Sequence, residues 1–257
     1  MFLERILEEK KKEVEQLKQR RDAFPETRAV RRSLSQALKE GPQQFGLIAE
    51  VKKASPSKGL IRADFDPTAI ACRYASAGAQ AVSVLTDKTF FQGDLSYLTS
   101  IRKVVDLPLL RKDFIIDRIQ IDESVAFGAD AILLIAASLE QKQLTDLCRY
   151  AQKRGLEVLL EIHTEEELAP AIEAQPDVIG INNRNLHTFD VSLDVTRRLI
   201  RHIPQTIPVV SESGISTPEV MQELQTLGLS GVLVGEFLMR QEDVADGIHY
   251  LRGVPAR

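Results

Sequence analysis

The chain has 257 residues, 44% of them hydrophobic and 27% charged, which is ordinary for one α/β barrel and long enough to bury a core without a disulfide or structural metal. The formal net charge is only −4, with Lys and Arg interleaved among acidic residues, which argues against a nucleic-acid footprint. The absence of any 18-residue apolar run argues against a membrane span, and the two cysteines, Cys72 and Cys148, form no metal-ligand cluster and read as buried, reduced thiols.

The opening stretch MFLERILEEKKKEVEQLKQRR lacks the apolar run of a signal peptide, so a cytoplasmic location is expected. Phe2, Leu3, Ile6, Leu7, Val14 and Leu17 make an intermittent apolar stripe on a heavily charged helix. The stripe predicts a helix packed on the exterior of the fold or over one of its ends; a helix that also closes a site is the alternative. GPQQFGL has the glycine spacing of a Walker A loop but not its Lys-Ser/Thr ending, so no nucleotide site is read there.

From about residue 47, short β-branched or Leu-rich runs alternate eight times with amphipathic stretches. The runs are LIAEV, AVSVL, LPLL, AILLI, EVLLEI, DVIGIN, PVVSE and GVLVG. Helices are predicted near 67–77, 96–104, 118–127, 140–153, 164–174, 192–201, 217–226 and 242–251. Asp66-Pro67 and Thr217-Pro218 have the form of N-caps followed by a first-turn proline, and Gly78, Gly128, Gly155 and Gly228 follow predicted helix ends. Strands apolar on both faces imply a parallel sheet covered by helices, and closure removes its edges. The expected fold is a single-domain (β/α)8 TIM barrel over 1–257, with an N-terminal helical extension at 1–45 and eight βα units at 46–257. An open, doubly wound sheet is the alternative.

Several polar residues break the apolar strands. Strand alternation places Glu50 and Lys52 on the face of Ile48, and likewise Lys112 beyond Leu110, Glu161 beyond Leu159, Asn182 beyond Gly180 and Glu212 beyond Val210. All lie toward carboxyl ends of strands, where barrel enzymes carry their chemistry. A solvated ring of ion pairs is the plain reading for one such pair. Burying the whole set by chance would be costly, so these groups are read as candidate acids and bases. Ser213 and Gly214 before the Thr217-Pro218 helix start, with Gly235 after the eighth strand, suggest a phosphate cradle. His163 is read as structural, and His187, His202 and His249 share no motif.

The stretch Ile-Ala-Glu50-Val-Lys52-Lys-Ala-Ser55-Pro56-Ser57-Lys-Gly59 resembles the indole-3-glycerol-phosphate synthase family. Leu-Leu-Arg-Lys112-Asp113-Phe114, Leu-Glu161, Gly-Ile-Asn182-Asn183-Arg184 and Ser-Glu212-Ser213-Gly214-Ile215 follow in the family's order. The resemblance covers about residues 45 to 240 and, through the leading helix, the whole chain. It implies closure, decarboxylation and dehydration of 1-(2-carboxyphenylamino)-1-deoxyribulose 5-phosphate, with no cofactor and no metal.

It further implies a catalytic set of Glu50, Lys52, Lys112, Glu161, Asn182, Glu212 and Ser213. Lys112 is the leading acid for ring closure. Lys52 either binds the anthranilate carboxylate or acts as a second acid; Glu161 is the base of the dehydration, assisted by Glu50, and Asn182 and Glu212 bind ribulose hydroxyls. Ser55, Ser213, Gly214 and Gly235 are assigned to the phosphate. Phe91, Phe114 and Leu133 are apolar wall candidates, and Arg184 is a further anion contact. Glu236 stands where some relatives carry a hydroxyl, so only the preceding glycine is carried over. The loop from Ser55 to Asp66 is expected to act as a lid. A phosphorylated small molecule is the expected partner, with neither nucleic acid nor membrane, and the chain is expected to be monomeric. A phosphoribosylanthranilate isomerase-like barrel and a catalytically silent metabolite-binding barrel are the competing readings.

Overall fold

A computed structural model of the chain describes residues 2–19, 24 and 31–254. Eight parallel strands close into a barrel: β1 (Gly46–Val51), β2 (Ala81–Leu85), β3 (Leu109–Lys112), β4 (Ala131–Ile135), β5 (Glu157–Ile162), β6 (Val178–Asn182), β7 (Val209–Glu212) and β8 (Gly231–Val234). Neighbours in sequence pair in order around the barrel, and β8 pairs with β1. The closed sheet disposes of the open-sheet alternative.

Strand alternation divides the core in two. Ile48, Ala81, Leu110, Ala131, Leu133, Leu159, Val178, Val210 and Leu233 pack together inside the barrel, whereas Leu47, Val82, Leu109, Ile132, Leu160, Ile179, Val209 and Val232 pack outward under the helices. The helix α2 (Leu34–Lys39), which follows α1 (Phe2–Lys18), places fully buried Leu34 and Leu38 in the inner cluster. Glycine is required at position 46, because a Cβ there would lie 2.8 Å from the Leu38 Cα. GPQQFGL leads into β1 at its amino end, opposite the polar mouth described below.

The exterior helices begin where local chemistry caps them. In α3 (Pro67–Ser76), Asp66 accepts the N–H groups of Thr68 and Ala69. The short turn α4 (Lys88–Phe91) follows β2 and is capped by Asp87, and α5 (Ser96–Arg102) completes that crossover. A capping box formed by Asp117 and Gln120 starts α6 (Arg118–Ala126). Then come α7 (Gln141–Lys153), α8 (Leu168–Glu173), α9 (Asp194–Leu199), α10 (Pro218–Thr226), α11 (Glu236–Met239) and α12 (Val244–Leu251).

Two predicted helices are shorter than their sequence pattern. The stretch 164–174 is helical only from Leu168, because the preceding residues form a turn in which Glu167 accepts the backbone N–H of His163 at 2.7 Å. The stretch 192–201 is helical over α9 and then tightens into a 3-10 turn, Ile200–His202. Cys72 also departs from expectation: it faces outward from α3 and is exposed, whereas Cys148 is buried in α7. Small apolar character does not by itself tell which helix face a residue takes.

Candidate active site

At the carboxyl ends of the strands, the inward positions turn from aliphatic to ionisable. Register sets Glu50 beside Ser83, Leu85 beside Lys112, Ile135 beside Glu161 and Asn182 beside Glu212. These ends open into one cavity, and every candidate named from sequence lines it: Glu50, Lys52, Lys112, Glu161, Asn182, Glu212, Ser213, Ser55, Gly214, Gly235, Phe91, Phe114, Leu133 and Arg184.

Two ion-pair groups organise the floor. Lys52 Nζ lies 2.6 Å from Glu50 Oε2. Lys112 Nζ lies 3.0 Å from Glu161 Oε2 and 3.3 Å from Glu212 Oε2. Glu50, Glu161 and Glu212 are at most 4% exposed. Burial disfavours the charge on Lys112, but Glu161, Glu212 and Glu50 outweigh it and hold the ammonium above the ordinary lysine range.

The two carboxylates around Lys112 diverge. Burial acts to raise both; at Glu161 it is overcome by Lys112 and His163, which hold that carboxyl well below the usual range. At Glu212 burial, reinforced by Glu161 and Glu50, wins over Lys112 and drives the carboxyl upward. Two carboxyl groups whose ionisation is driven in opposite directions thus flank one ammonium.

His163 does not line the cavity. It is buried behind Glu161, with Nε2 3.3 Å from Glu161 Oε1 and Nδ1 3.7 Å from Glu167 Oε2, at ion-pair distances without well-aligned hydrogen bonds. Burial lowers its basicity, yet the two glutamates prevail and raise the imidazole to about 9.

Missing side chains are as necessary as those present. A Cβ on Gly235 would clash with Glu50 Oε2 and approach Lys52 Nζ to 3.0 Å, so its place in the site is tied to Glu50 as well as to the loop it begins. Ser213 and Gly214 both adopt positive φ, 66° and 82°, bending the chain across the end of β7. Asn183 supports that bend from beneath, donating to Ser211 Oγ, Glu212 O and Ser213 O.

Over the cavity, Ala54–Ser55 pairs antiparallel with Gly59–Leu60. Arg62 pins the end of this loop by donating to Gln241 O at 2.8 Å and Glu242 O at 3.2 Å. Arg184 donates to Phe189 O at 3.1 Å and lies 3.7 Å from Glu236, which also lines the cavity and meets Lys58 at 3.7 Å.

The N-terminal helix follows the alternative reading, a helix that also closes a site. Phe2, Leu3 and Ile6 line the cavity, and Phe2 packs edge-on against Phe90 and Phe189, both at 5.6 Å between centroids. α1 therefore lies across the mouth. Sequence reading missed Lys10, which is 1% exposed. The signal was there: Lys10 falls between Ile6 and Val14 at four-residue intervals, on the buried stripe. Among the described residues, no group of three or more His, Cys, Asp or Glu is placed to hold a metal, and no helix is long and apolar enough to cross a membrane.

A family model described as Indole-3-glycerol phosphate synthase matches residues 3–251. The chain is 54% identical over 251 residues to an indole-3-glycerol phosphate synthase of a Geobacillus species, covering 97% of this chain and 96% of that protein. It is 49% identical over 254 residues to one from Halalkalibacterium halodurans, covering 98% and 97%. Among solved structures, a 3-hexulose-6-phosphate synthase from Salmonella typhimurium superposes with a TM-score of 0.66 at 12% identity, covering 81% of this chain and 97% of that one, a likeness of fold.

Proposed function

Because this chain belongs to the indole-3-glycerol phosphate synthase family, we propose how its own residues divide the work of that reaction. The enzyme closes 1-(2-carboxyphenylamino)-1-deoxyribulose 5-phosphate into an indole with loss of CO2 and water, a step of tryptophan biosynthesis. The isomerase-like alternative falls with the family.

The observation that carries the proposed division is the position of Lys112 between Glu161 and Glu212. An ammonium has three N–H donors; one is given to Glu161 at 3.0 Å, and Glu212 is an ion-pair contact at 3.3 Å. A remaining donor is available to the ribulose ketone. As the aryl carbon bearing the carboxylate attacks that ketone, Lys112 gives its proton to the developing alkoxide, and loss of CO2 restores the aromatic ring.

Proton transfer then changes the neighbours. Once Lys112 is neutral, the larger of the two charges that hold Glu161 down is gone, with His163 remaining, and Glu161 becomes a stronger base for the proton lost in dehydration. Glu212, whose carboxyl is driven upward, returns a proton to Lys112. Lys52, facing the single carboxylate of Glu50, has donors left for the substrate carboxylate and assists departure of the hydroxyl. Asn182 binds a ribulose hydroxyl.

Ser55, Ser213, Gly214 and Gly235 hold the phosphate, with Arg184 beside them; Glu236 has to yield some of its hold on Arg184 when the anion arrives. Phe91, Phe114 and Leu133 flank the aryl ring. Holding the aryl carbon against the ketone is itself a large contribution, since it replaces a search through conformers by a near-attack geometry. The hairpin-bearing loop over Ser55–Asp66 closes on the bound substrate and excludes water. The chain acts as one cytoplasmic, monomeric domain.

The test is incubation of the purified protein with the carboxyphenylamino ribulose phosphate, followed by indole fluorescence and CO2 release. Formation of both is expected. Binding without either product would leave a silent metabolite-binding barrel.

A further inference from the structure

Lys10 is buried in α1, yet it does not line the cavity. Its Nζ stands 2.8 Å from Asp87 Oδ2, 2.9 Å from Asp113 Oδ1 and 2.7 Å from Glu13 Oε2 on its own helix. Both aspartates are almost completely buried, and among the described residues Lys10 is the cation within ion-pair reach of Asp87.

Each aspartate also holds an aromatic turn. Asp87 Oδ1 accepts the backbone N–H groups of Phe90 at 2.7 Å and Phe91 at 3.2 Å, which fixes α4 after β2. Asp113 Oδ1 accepts the N–H of Phe114 at 2.8 Å after β3, while its Oδ2 meets Thr86 and Arg111. Phe91 and Phe114 then face one another with centroids 6.1 Å apart and planes inclined by 39°. One ammonium from the N-terminal helix therefore joins the two turns that present these rings.

We propose that Lys10 is a positioning residue that sets the spacing between Phe91 and Phe114 and thereby the affinity for the aryl half of the substrate. This rests on the reading of those two phenylalanines as the aryl wall. Lys10 does not touch the substrate; it lies between two carboxylates that would otherwise repel each other beneath the rings. The direction of its ionisation fits, since burial disfavours the charge but Asp113, Asp87 and Glu13 raise its pKa above the ordinary range. Asp113 is correspondingly held low despite burial, by Lys10 and Arg111.

The experiment measures two dissociation constants: one for the substrate with its ketone reduced to an alcohol, which cannot cyclise, and one for inorganic phosphate. Lys10→Met removes the tie. Lys10→Met/Asp87→Asn removes it without leaving a net buried charge, and keeps a side chain able to cap α4. Both variants are expected to weaken the reduced substrate by about tenfold or more while phosphate affinity stays within about twofold, and Lys10→Arg should recover most of the loss.

Unchanged affinity for the reduced substrate in a cooperatively folding double variant overturns the proposal. An equal fall in both affinities does so too, because it means that α1 merely holds the whole mouth together. If Lys10→Met does not fold, the double variant and Lys10→Arg decide. Phe91→Ala and Phe114→Ala test the wall separately: if neither weakens the reduced substrate, the wall assignment fails whatever Lys10 does.

Discussion

A Cβ on Gly235 would overlap Glu50 Oε2. Glu50 pairs with Lys52 at 2.6 Å, so a backbone position at the end of β8 determines whether an ion pair at the end of β1 can form. Gly180 stands in the same relation to Glu212, whose Oε1 fills the space beside its Cα.

Gly235→Ala should therefore push Glu50 aside and disturb Lys52. Overpacking of a tight site costs roughly 1–3 kcal/mol. We expect that loss in urea unfolding, together with a fall in kcat of at least about tenfold. Wild-type activity in a folded Gly235→Ala protein would show that the Glu50–Lys52 pair is not needed in its present geometry.

Lys112→Ala should lower kcat by about 100-fold or more, the scale of a lost general acid, while leaving the barrel folded. Circular dichroism would check the fold and indole fluorescence the rate. A near-normal rate would remove Lys112 from the ring-closing step.

Glu161→Gln should let ring closure and decarboxylation proceed but slow the dehydration. Quenched single turnovers analysed by mass are expected to accumulate the cyclised, decarboxylated hydroxy intermediate. Lys52→Ala, in contrast, should raise KM through loss of the substrate carboxylate contact. Accumulation of uncyclised substrate alone in Glu161→Gln would argue that Glu161 acts before ring closure.

His163 links the site to stability through pH. Its folded-state pKa is raised from 6.5 to about 9, so the folded protein binds a proton there that the unfolded chain releases between those values. The stabilisation is therefore complete below about pH 6.5 and lost as pH rises through about 9. Relative to His163→Asn, the wild type should be more stable at pH 6 than at pH 9.5 by an extra margin on the order of 2–3 kcal/mol. Equal differences at both pH values, from denaturant titrations, would mean that His163 stays neutral between Glu161 and Glu167.

Much of the site was legible in sequence because its information is local. The alternation within LIAEVK, LLRK and VLLE decides which side chains face the barrel interior whatever the rest of the chain does. Residues that depend on distant segments were not legible in that way. Lys10 read as one charge among many, since its burial requires β2 and β3 to deliver Asp87 and Asp113 to the same point. Cys72 read as buried, since nothing local tells which side of α3 is left uncovered.

By itself, then, the sequence determined eight strand-and-helix repeats, the inward parity of Glu50, Lys52, Lys112, Glu161, Asn182 and Glu212, and the family motifs they stand in. Only the tertiary structure decided how Lys112, Glu161 and Glu212 shift one another's ionisation, and which helix covers them. Barrel closure brings Glu161 and Glu212 to one lysine while His163 supports only Glu161, so two chemically identical carboxyl groups are driven in opposite directions. The physical reason is that ionisation responds to burial and to charges a few ångströms away, and those distances do not exist until the chain has closed on itself.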